Sequence, residues 1–517
     1  MSRRATTGAV LLLVGAMIAA SCSTLGLDDG TVEDDAAPVG SVSTTVPVET
    51  TPTTDAEAEQ EEAAAQALDT LERSWAEARQ RVVEEIEFGG YGVNEDNVLI
   101  GPAGFEIDLD DCPSEWEDTA GIRGNTLTIA HTAPRSGNLF AYGHLASGMG
   151  VYFDHVNATG GIAGLQLELQ IEDDGYDRER TADLIDEFLE EEPPFMVTTL
   201  GSPSSLEVYD TLNEECVPHP FVMSSHPAWG DPEEHPWTTG LQMSYGTEAL
   251  IWGNWLKQDM RGELPVSVAA LVIDNEFGVV YEEAFGNWAE ANPDVISDFI
   301  PVRHDPAATV LVDEMSEIVE ADPDVFIAMT NGDPCLLAVQ YAGSSGLTES
   351  VDRLFTSSTC QQPALYLSPA GNDADGFHVV NGGGKSTSDQ RYMDEPFIAF
   401  ANETLAAAGL DTSIGFYGTG FAYYGWAHVE ALRIAAELEG GITRSNLILA
   451  IRSLDLIHPM FFDGILFALN GNADGYPIEG SEISRFDAAT QTWRQVGPIV
   501  DLDGLSPGCE WNGQRCR

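Results

Sequence analysis

Lysine is nearly absent from this chain: Lys257 and Lys385 are the only two among 517 residues. With arginine they make 22 basic side chains against 85 acidic ones, a formal net charge of −63. A surface of that sign repels nucleic acid and anionic lipid headgroups, so nucleic acid is excluded as a partner. It suits a protein kept soluble in a salty medium, where screening weakens self-repulsion. The acidic residues read as a solvated shell rather than a cation site. Long apolar runs are also missing, since the stretch Ala9–Ala20 is too short to span a bilayer. Signatures of chemistry are missing as well. There is no Gly-x-Ser-x-Gly elbow, no Walker loop and no His-Glu-x-x-His, and the chain reads as a binder rather than an enzyme. No Cys/His spacing matches zinc. Asn470-x-Asn472-x-Asp474-Gly475 opens like a calcium loop but has Ser481 where the closing glutamate belongs, so it reads as a turn. Neither a metal nor a cofactor is expected.

What is present begins with an export signal. Arg3 and Arg4 precede the apolar run, and small residues follow it. Ala19-Ala20-Ser21-Cys22 resembles a bacterial lipobox, which makes residues 1–22 a lipoprotein signal and Cys22 the lipidated first residue of an extracytoplasmic, membrane-anchored protein. An ordinary secretion signal with an incidental cysteine is the alternative. Residues 23–57, rich in Thr, Pro, Asp and Ala without apolar periodicity, read as a disordered tether. Residues 58–121 form a helical and irregular extension, whose Ala/Glu-rich helix over about 55–86 reads as a spacer. Six further cysteines in an exported chain suggest three disulfides, although sequence does not fix their pairing. Cys335 and Cys360 follow successive predicted strands, Cys509 and Cys516 share a terminal tail (506–517), and Cys112 with Cys216 is left by elimination.

The stretch Thr126–Asp174 reads as a βαβ unit. A strand Thr126–Thr132 leads through a Pro/Ser/Gly loop to a helix of about Asn138–Asn157. Asn157–Gly161 stops that helix, and Leu165, Leu167, Leu169 and Ile171 alternate in a second strand. Gly143, Gly148 and Gly150 imply that the helix lies close against a sheet. Strand–helix alternation then continues to about 258, and a second series starts at the apolar strand Val268–Asn275. In that series a helix is expected over 307–321. Near-continuous apolar strands between helices imply parallel sheets covered on both faces. Late helices are expected over 388–408 and 417–438. The fold class is therefore α/β, with two Rossmann-like lobes.

Particular residues carry a closer resemblance. Pro134-x-Ser136-Gly137, then Asp154-His155-Val156-Asn157-Ala158-x-Gly160-Gly161-Ile162-x-Gly164, then Glu172-Asp173-Asp174 resemble the branched-chain amino-acid-binding type of periplasmic solute-binding protein. Further matches are Thr199–Ser205, Pro220–Ser225, Ile273–Gly278, Ala321–Val325 and Phe462–Phe467. The resemblance implies a type I periplasmic binding fold: two lobes with parallel sheets joined by three crossover segments, and a ligand cleft between them. Lobe 1 would hold 122–246 plus 376–455, and lobe 2 would hold 247–375 plus 456–505. The implied function is the solute-binding component of an ABC importer, partnered by a membrane permease. The alternative is a ligand-binding receptor domain of a sensory system.

The same resemblance places Ser136 at the cleft rim and puts ligand contacts on Ser202 and Ser204, on Ser225, His226 and Ala228, and on Phe277, Asn331 and Thr359. Helix-capping serines, a loop histidine bonded to backbone and a core phenylalanine are the alternative readings of Ser202, Ser204, His226 and Phe277. Related proteins often meet the ligand ammonium with an acidic residue near the position of Thr359, where this chain has Phe355–Cys360 and no carboxylate. An unpaired buried charge is costly. Asp333 is the nearest candidate carboxylate. The expected ligand is a small polar molecule, an amino acid, amide or small carboxylate, either lacking a free α-ammonium or held by hydroxyls.

Overall fold

The computed structural model describes residues 54–137, 139–502 and 504–516. The signal, Cys22 and most of the tether lie outside the described residues, as does Asn138 at the expected start of the first helix.

Two sheets with the same strand order organise the chain. In the first, Thr126–Ala133 is central and runs parallel to Gln166–Asp173 on one side and Met196–Thr199 on the other. His219–Val222 follows through Val197 N–H to Pro218 O (2.9 Å) and Met223 N–H to Thr199 O (2.9 Å), and it pairs in parallel with Thr238–Gly240. In the second, Ile296–His304, Val266–Ile273, Val325–Met329, Arg353–Thr356 and Phe377–Val380 lie side by side in parallel. Two antiparallel strands, Ile483–Asp487 and Thr492–Gln495, extend it. Both sheets therefore read 2-1-3-4-5, the doubly wound order whose ligands bind beyond the carboxyl ends of the strands.

The sequence accounts for the positions of the strands. Val266–Ile273 is buried at every residue but Ser267, as a central parallel strand covered on both faces must be. Gln166–Asp173 is a sheet edge: Leu167 is buried while Glu168, Gln170 and Glu172 are exposed. Asn157 ties the first helix to this edge, because its side-chain amide donates to Leu167 O and accepts from Leu167 N–H, both at 2.8 Å. Gly161 turns at φ +72°, with no room for a Cβ against Leu165 O.

Several expectations shift. Phe377–Val380 pairs with Arg353–Thr356 through Leu354 and Phe377, so the chain leaves the second sheet after Val380 and not at 376. The first helix begins as a tight turn, Phe140–Gly143, and continues as His144–Ala158. Its Gly148 packs not on a sheet but on another helix, where a Cβ would stand 1.9 Å from Tyr417 O. The helix expected over 307–321 starts only at Val312. The one expected from 388 starts at Pro396, where proline suits a first helical turn, and the preceding residues form turns such as Tyr392 N–H to Asp389 O (3.0 Å). The helix expected over 417–438 is Gly415–Glu437, with a wider π-helical segment at Gly420–Gly425.

Residues 59–517 form one compact unit. The N-terminal helix, Thr54–Gly89, is not a solvated spacer. Trp75, Ala78, Val82 and Ile86 bury a helical stripe, with the Trp75 ring 5.4 Å from both Phe397 and Trp426. Arg79 joins buried Glu430, which Arg433 also holds. A small antiparallel sheet, Gly92–Val93, Val98–Ile100 and Glu106–Asp108, follows. The three disulfides are Cys112–Cys216, Cys335–Cys360 and Cys509–Cys516. Asn470–Asp474 is a turn closed by Asn470 N–H to Asp474 O (3.2 Å). Among the described residues no helix is long and apolar enough to cross a membrane.

Candidate functional site

The loops that follow the strands of both sheets meet around one cavity. Every parallel strand of the first sheet sends a residue to it. Leu139 and Tyr142 follow Thr126–Ala133, Tyr176 follows Gln166–Asp173, and Leu200 follows Met196–Thr199. Ser225 follows His219–Val222, and Gln242 and Tyr245 follow Thr238–Gly240. The second sheet answers with Phe277, Asn331, Thr359 and Asn381 after four of its strands, with Lys385 and Ser386 beyond. The Gly415–Glu437 helix closes one side with Phe416, Tyr423 and Tyr424. The wider π turn puts two consecutive tyrosines on the same wall.

Local chemistry fixes these groups. Gly201 sits at φ +94°, and a Cβ there would stand 2.1 Å from the Tyr176 ring, so glycine is what lets that ring lie flat along the loop. Ser225 Oγ donates to Gln242 Oε1 at 3.1 Å and orients that amide. Asn275 caps the helix Glu276–Ala291 by accepting from Phe277 and Gly278 N–H (3.1 and 3.3 Å), which seats Phe277 edge-on to Tyr245 at 4.7 Å. Tyr142 reaches across the cleft: its hydroxyl accepts from Gly332 N–H and donates to Thr359 O, both at 3.3 Å. Arg178, from the first sheet's side, pairs with Glu276 on the other. Three lining polar atoms are buried without a partner: Asn331 Oδ1 and the hydroxyls of Tyr423 and Tyr424. Burial holds the Tyr423 and Tyr424 hydroxyls far above the usual phenol range, so both stay protonated.

Charge is sparse at the wall. Among the described residues Lys385 is the one basic side chain that lines the cavity, and its Nζ lies 2.7 Å from Glu395 Oε2. No carboxylate of the described residues lines the cavity, but one stands directly behind it. Glu248 is fully buried; its Oε1 accepts from Ser358 N–H (2.9 Å), and its Oε2 accepts from Ser358 Oγ (2.7 Å) and Tyr281 OH (2.6 Å). Burial pushes its pKa up to about 7 despite those three donors. It orients Ser358, a lining residue, without facing the cavity itself.

Of the residues singled out in sequence, the structure brings Ser225, Phe277, Asn331 and Thr359 to the cavity. It does not bring the others. Ser136 is exposed and bonds Asp173, which Arg135 N–H also meets at 2.8 Å. Ser202 turns inward to Ser224 Oγ (2.9 Å), leaving the wall to Gly201. Ser204 is buried inside its helix. His226 and Ala228 point away: the imidazole Nδ1 accepts from Ala228 N–H (3.2 Å), and the ring stands edge-on to Trp511 at 4.6 Å. Burial pushes the His226 pKa down to about 3, so it is a neutral packing group. Sequence reading missed the tyrosines altogether. Tyr176 and Tyr245 follow a strand's carboxyl end closely, Tyr142 lies farther beyond Ala133, and Tyr423 and Tyr424 share the aromatic run Gly420–Gly425.

Comparison with solved structures places this architecture among known proteins. A fatty acid ABC transporter substrate-binding protein from Thermomonospora curvata superposes with TM-score 0.64 at 15% identity, covering 77% of this chain and 98% of that one. A branched-chain amino acid ABC transporter structure from Thermus thermophilus with bound valine gives 0.64 at 17% identity, covering 74% and 97%. A solute-binding protein of an ABC transporter from Rhodopseudomonas palustris in complex with p-hydroxybenzoic acid gives 0.61 at 17%, covering 74% and 98%. No curated protein sequence matches this chain. These neighbours are solute-binding proteins and not enzymes, and residues 126–477 match a family described by the same role: the chain belongs to the periplasmic binding protein family.

Proposed function

We propose that this protein is the extracytoplasmic solute receptor of an ABC importer, held at the membrane by a lipid on Cys22. It closes on one small molecule and presents it to a membrane permease. The observation that carries this reading is the cavity itself. Loops from the carboxyl ends of two sheets of equal order enclose it, and Tyr142 bonds across it to Gly332 and Thr359. Closure of this kind couples binding to conformation, since the interlobe bonds exist only when the sheets approach. The lines of the chain that cross between the sheets, at 241–244, at 381–395 and between 453 and 482 on the way back to Ile483–Asp487, would act as hinge segments.

The test is direct. The chain purified without residues 1–22 should gain thermal stability with a subset of amino acids, amides, ureas and small carboxylates, and its radius of gyration should contract with the same compounds. Absence of any stabilising solute across the panel would count against a transport role. Mass spectrometry of the membrane-extracted protein should find a diacylglycerol-modified Cys22; an unmodified N-terminus at any other residue would remove the anchor.

A further inference from the structure

We propose that the solute taken by this cavity is uncharged: a molecule with a ring-bearing or otherwise apolar body and at least two hydrogen-bonding groups, rather than an amino acid or a carboxylate. This deepens, and rests on, the solute-receptor reading above.

The first support is the balance of charge. Lys385, the one basic side chain lining the cavity among the described residues, has its Nζ 2.7 Å from Glu395 Oε2 and lies over the Tyr392 ring, 5.5 Å from its centre. In the chamber beside it Arg391 is shared between Asp389 (2.7 Å) and Glu482 (2.8 Å). On the other side Glu248 spends both oxygens on Ser358 and Tyr281. Lys385, Arg391 and Glu248 are thus each matched within the protein. A solute carboxylate would meet Lys385 only by competing with Glu395. A solute ammonium would find no lining carboxylate, and a closed cleft makes an unpaired ion costly.

The second support is what remains unmatched. Asn331 is 5% exposed and its Oδ1 has no partner; the hydroxyls of Tyr423 and Tyr424 have none either. All three residues line the cavity, and orphaned polar atoms at that depth ask for hydrogen bonds and not for ions. The rest of the wall fits an apolar body. Tyr142 lies against Phe416 with centres 4.7 Å apart, Tyr245 against Phe277 at 4.7 Å, and leucines fill between them.

The test uses a low-molecular-weight cell extract separated on anion and cation exchangers into anionic, cationic and uncharged pools, the zwitterions going with the charged pools at suitable pH. Each pool is added to the full-length purified protein, and any compound retained through gel filtration is identified by mass spectrometry. The expected result is a rise in melting temperature on the order of 3 °C with the uncharged pool alone. The retained compound should carry no group ionised at pH 7. Asn331→Leu, which keeps bulk but removes the amide, should weaken its binding about 10- to 100-fold. Retention of a carboxylate, an amine or an amino acid overturns the inference and leaves the receptor reading standing. If no pool stabilises the protein, the receptor reading fails and this inference falls with it.

Discussion

The two walls of the cavity are built from opposite materials. The loops of the first sheet, with the Gly415–Glu437 helix, present Leu139, Tyr142, Leu145, Tyr176, Leu200 and Phe416, and apart from Ser225, Gln242 and Thr419 their surface is mostly aromatic and aliphatic. The loops of the second sheet present Asn331, Thr359, Gln361, Gln362, Asn381 and Ser386, amides and hydroxyls with Phe277 as the exception. The difference separates two tasks. Apolar burial is roughly proportional to area and indifferent to direction, so the first wall supplies affinity. Hydrogen bonds demand geometry and penalise a missing partner, so the second wall supplies choice. Several of the second wall's groups already have partners in the protein. Thr359 Oγ1, for instance, donates to Thr330 O at 3.1 Å. Selectivity is left to the atoms that have none, Asn331 Oδ1 on this wall and the Tyr423 and Tyr424 hydroxyls on the other.

Tyr142 belongs to both walls, and removing it gives the largest effect. Tyr142→Ala deletes a ring packed on Phe416 and both bonds to the second wall. A loss of about 3 kcal/mol in binding is expected, seen by calorimetry as a drop on the order of 100-fold. Tyr142→Phe keeps the ring and should lose only the bridging share. If the two variants bind alike, the hydroxyl carries the site and the division of labour is wrong.

Glu248 tests the foundation of the polar wall. Its pKa of about 7 lies above the ordinary carboxylate value of 4.5 because of burial. A carboxyl whose pKa is raised by folding favours the folded state fully only below the unfolded value. That contribution fades as pH rises from about 4.5 through 7, where the buried group must ionise. It amounts to on the order of 3 kcal/mol. Comparison with Glu248→Gln isolates this contribution from the buried neutral histidines, whose lowered pKa values act in the opposite sense: the variant's melting temperature should rise relative to the parent's as pH increases over this interval. An unchanged slope in the variant would mean that other groups set the pH dependence.

The apolar wall stands on two glycines. A Cβ on Gly148 would lie 1.9 Å from Tyr417 O, and one on Gly420 would lie 1.9 Å from Leu145 O, so the helix bearing Tyr423 and Tyr424 touches His144–Ala158 backbone to backbone. Gly420→Ala should cost about 2 kcal/mol of stability in denaturant titration, and it should weaken binding by moving the tyrosines. Binding that survives intact would show that those hydroxyls do not meet the solute.

These glycines also show where sequence reading stops. Gly148 was legible as a point of close packing, but not its partner, which lies more than 260 positions away in the chain. The fold was legible because its signals are local. The buried run Val266–Ile273 and the Asn157–Gly161 turn, with Asn157 clamping Leu167, are set by neighbours in sequence. The site is set by where loops from both sheets converge, and no spacing encodes that. Carrying positions over from a resemblance falls beside the wall at some places: Gly201 lines the cavity instead of Ser202, Ser225 does so while His226 turns away, and Ser136, Ser204 and Ala228 do not line it. The chain around Thr359 carries no carboxylate. One comes instead from Glu248, on a helix more than 100 residues earlier, and stands behind Ser358.

The smallest effect concerns how the walls meet at the cleft's mouth. Arg178 reaches Glu276, the first residue of the helix that carries Phe277, and Glu207 lies 3.8 Å from the same guanidinium. Arg178 is about half exposed, with 47% of its side chain accessible, so solvent and salt screen the pair. An exposed pair contributes roughly 0.2–1 kcal/mol, and here that share belongs to closure rather than to contact with solute. Arg178→Ala should weaken binding by about two- to fivefold at low salt through faster release, with no change in which solute is chosen. In 1 M salt the variant and the parent should converge. A variant that alters the order of preference among solutes would place Arg178 in the selecting wall, and the boundary between affinity and choice would then have to be redrawn through the cleft's mouth.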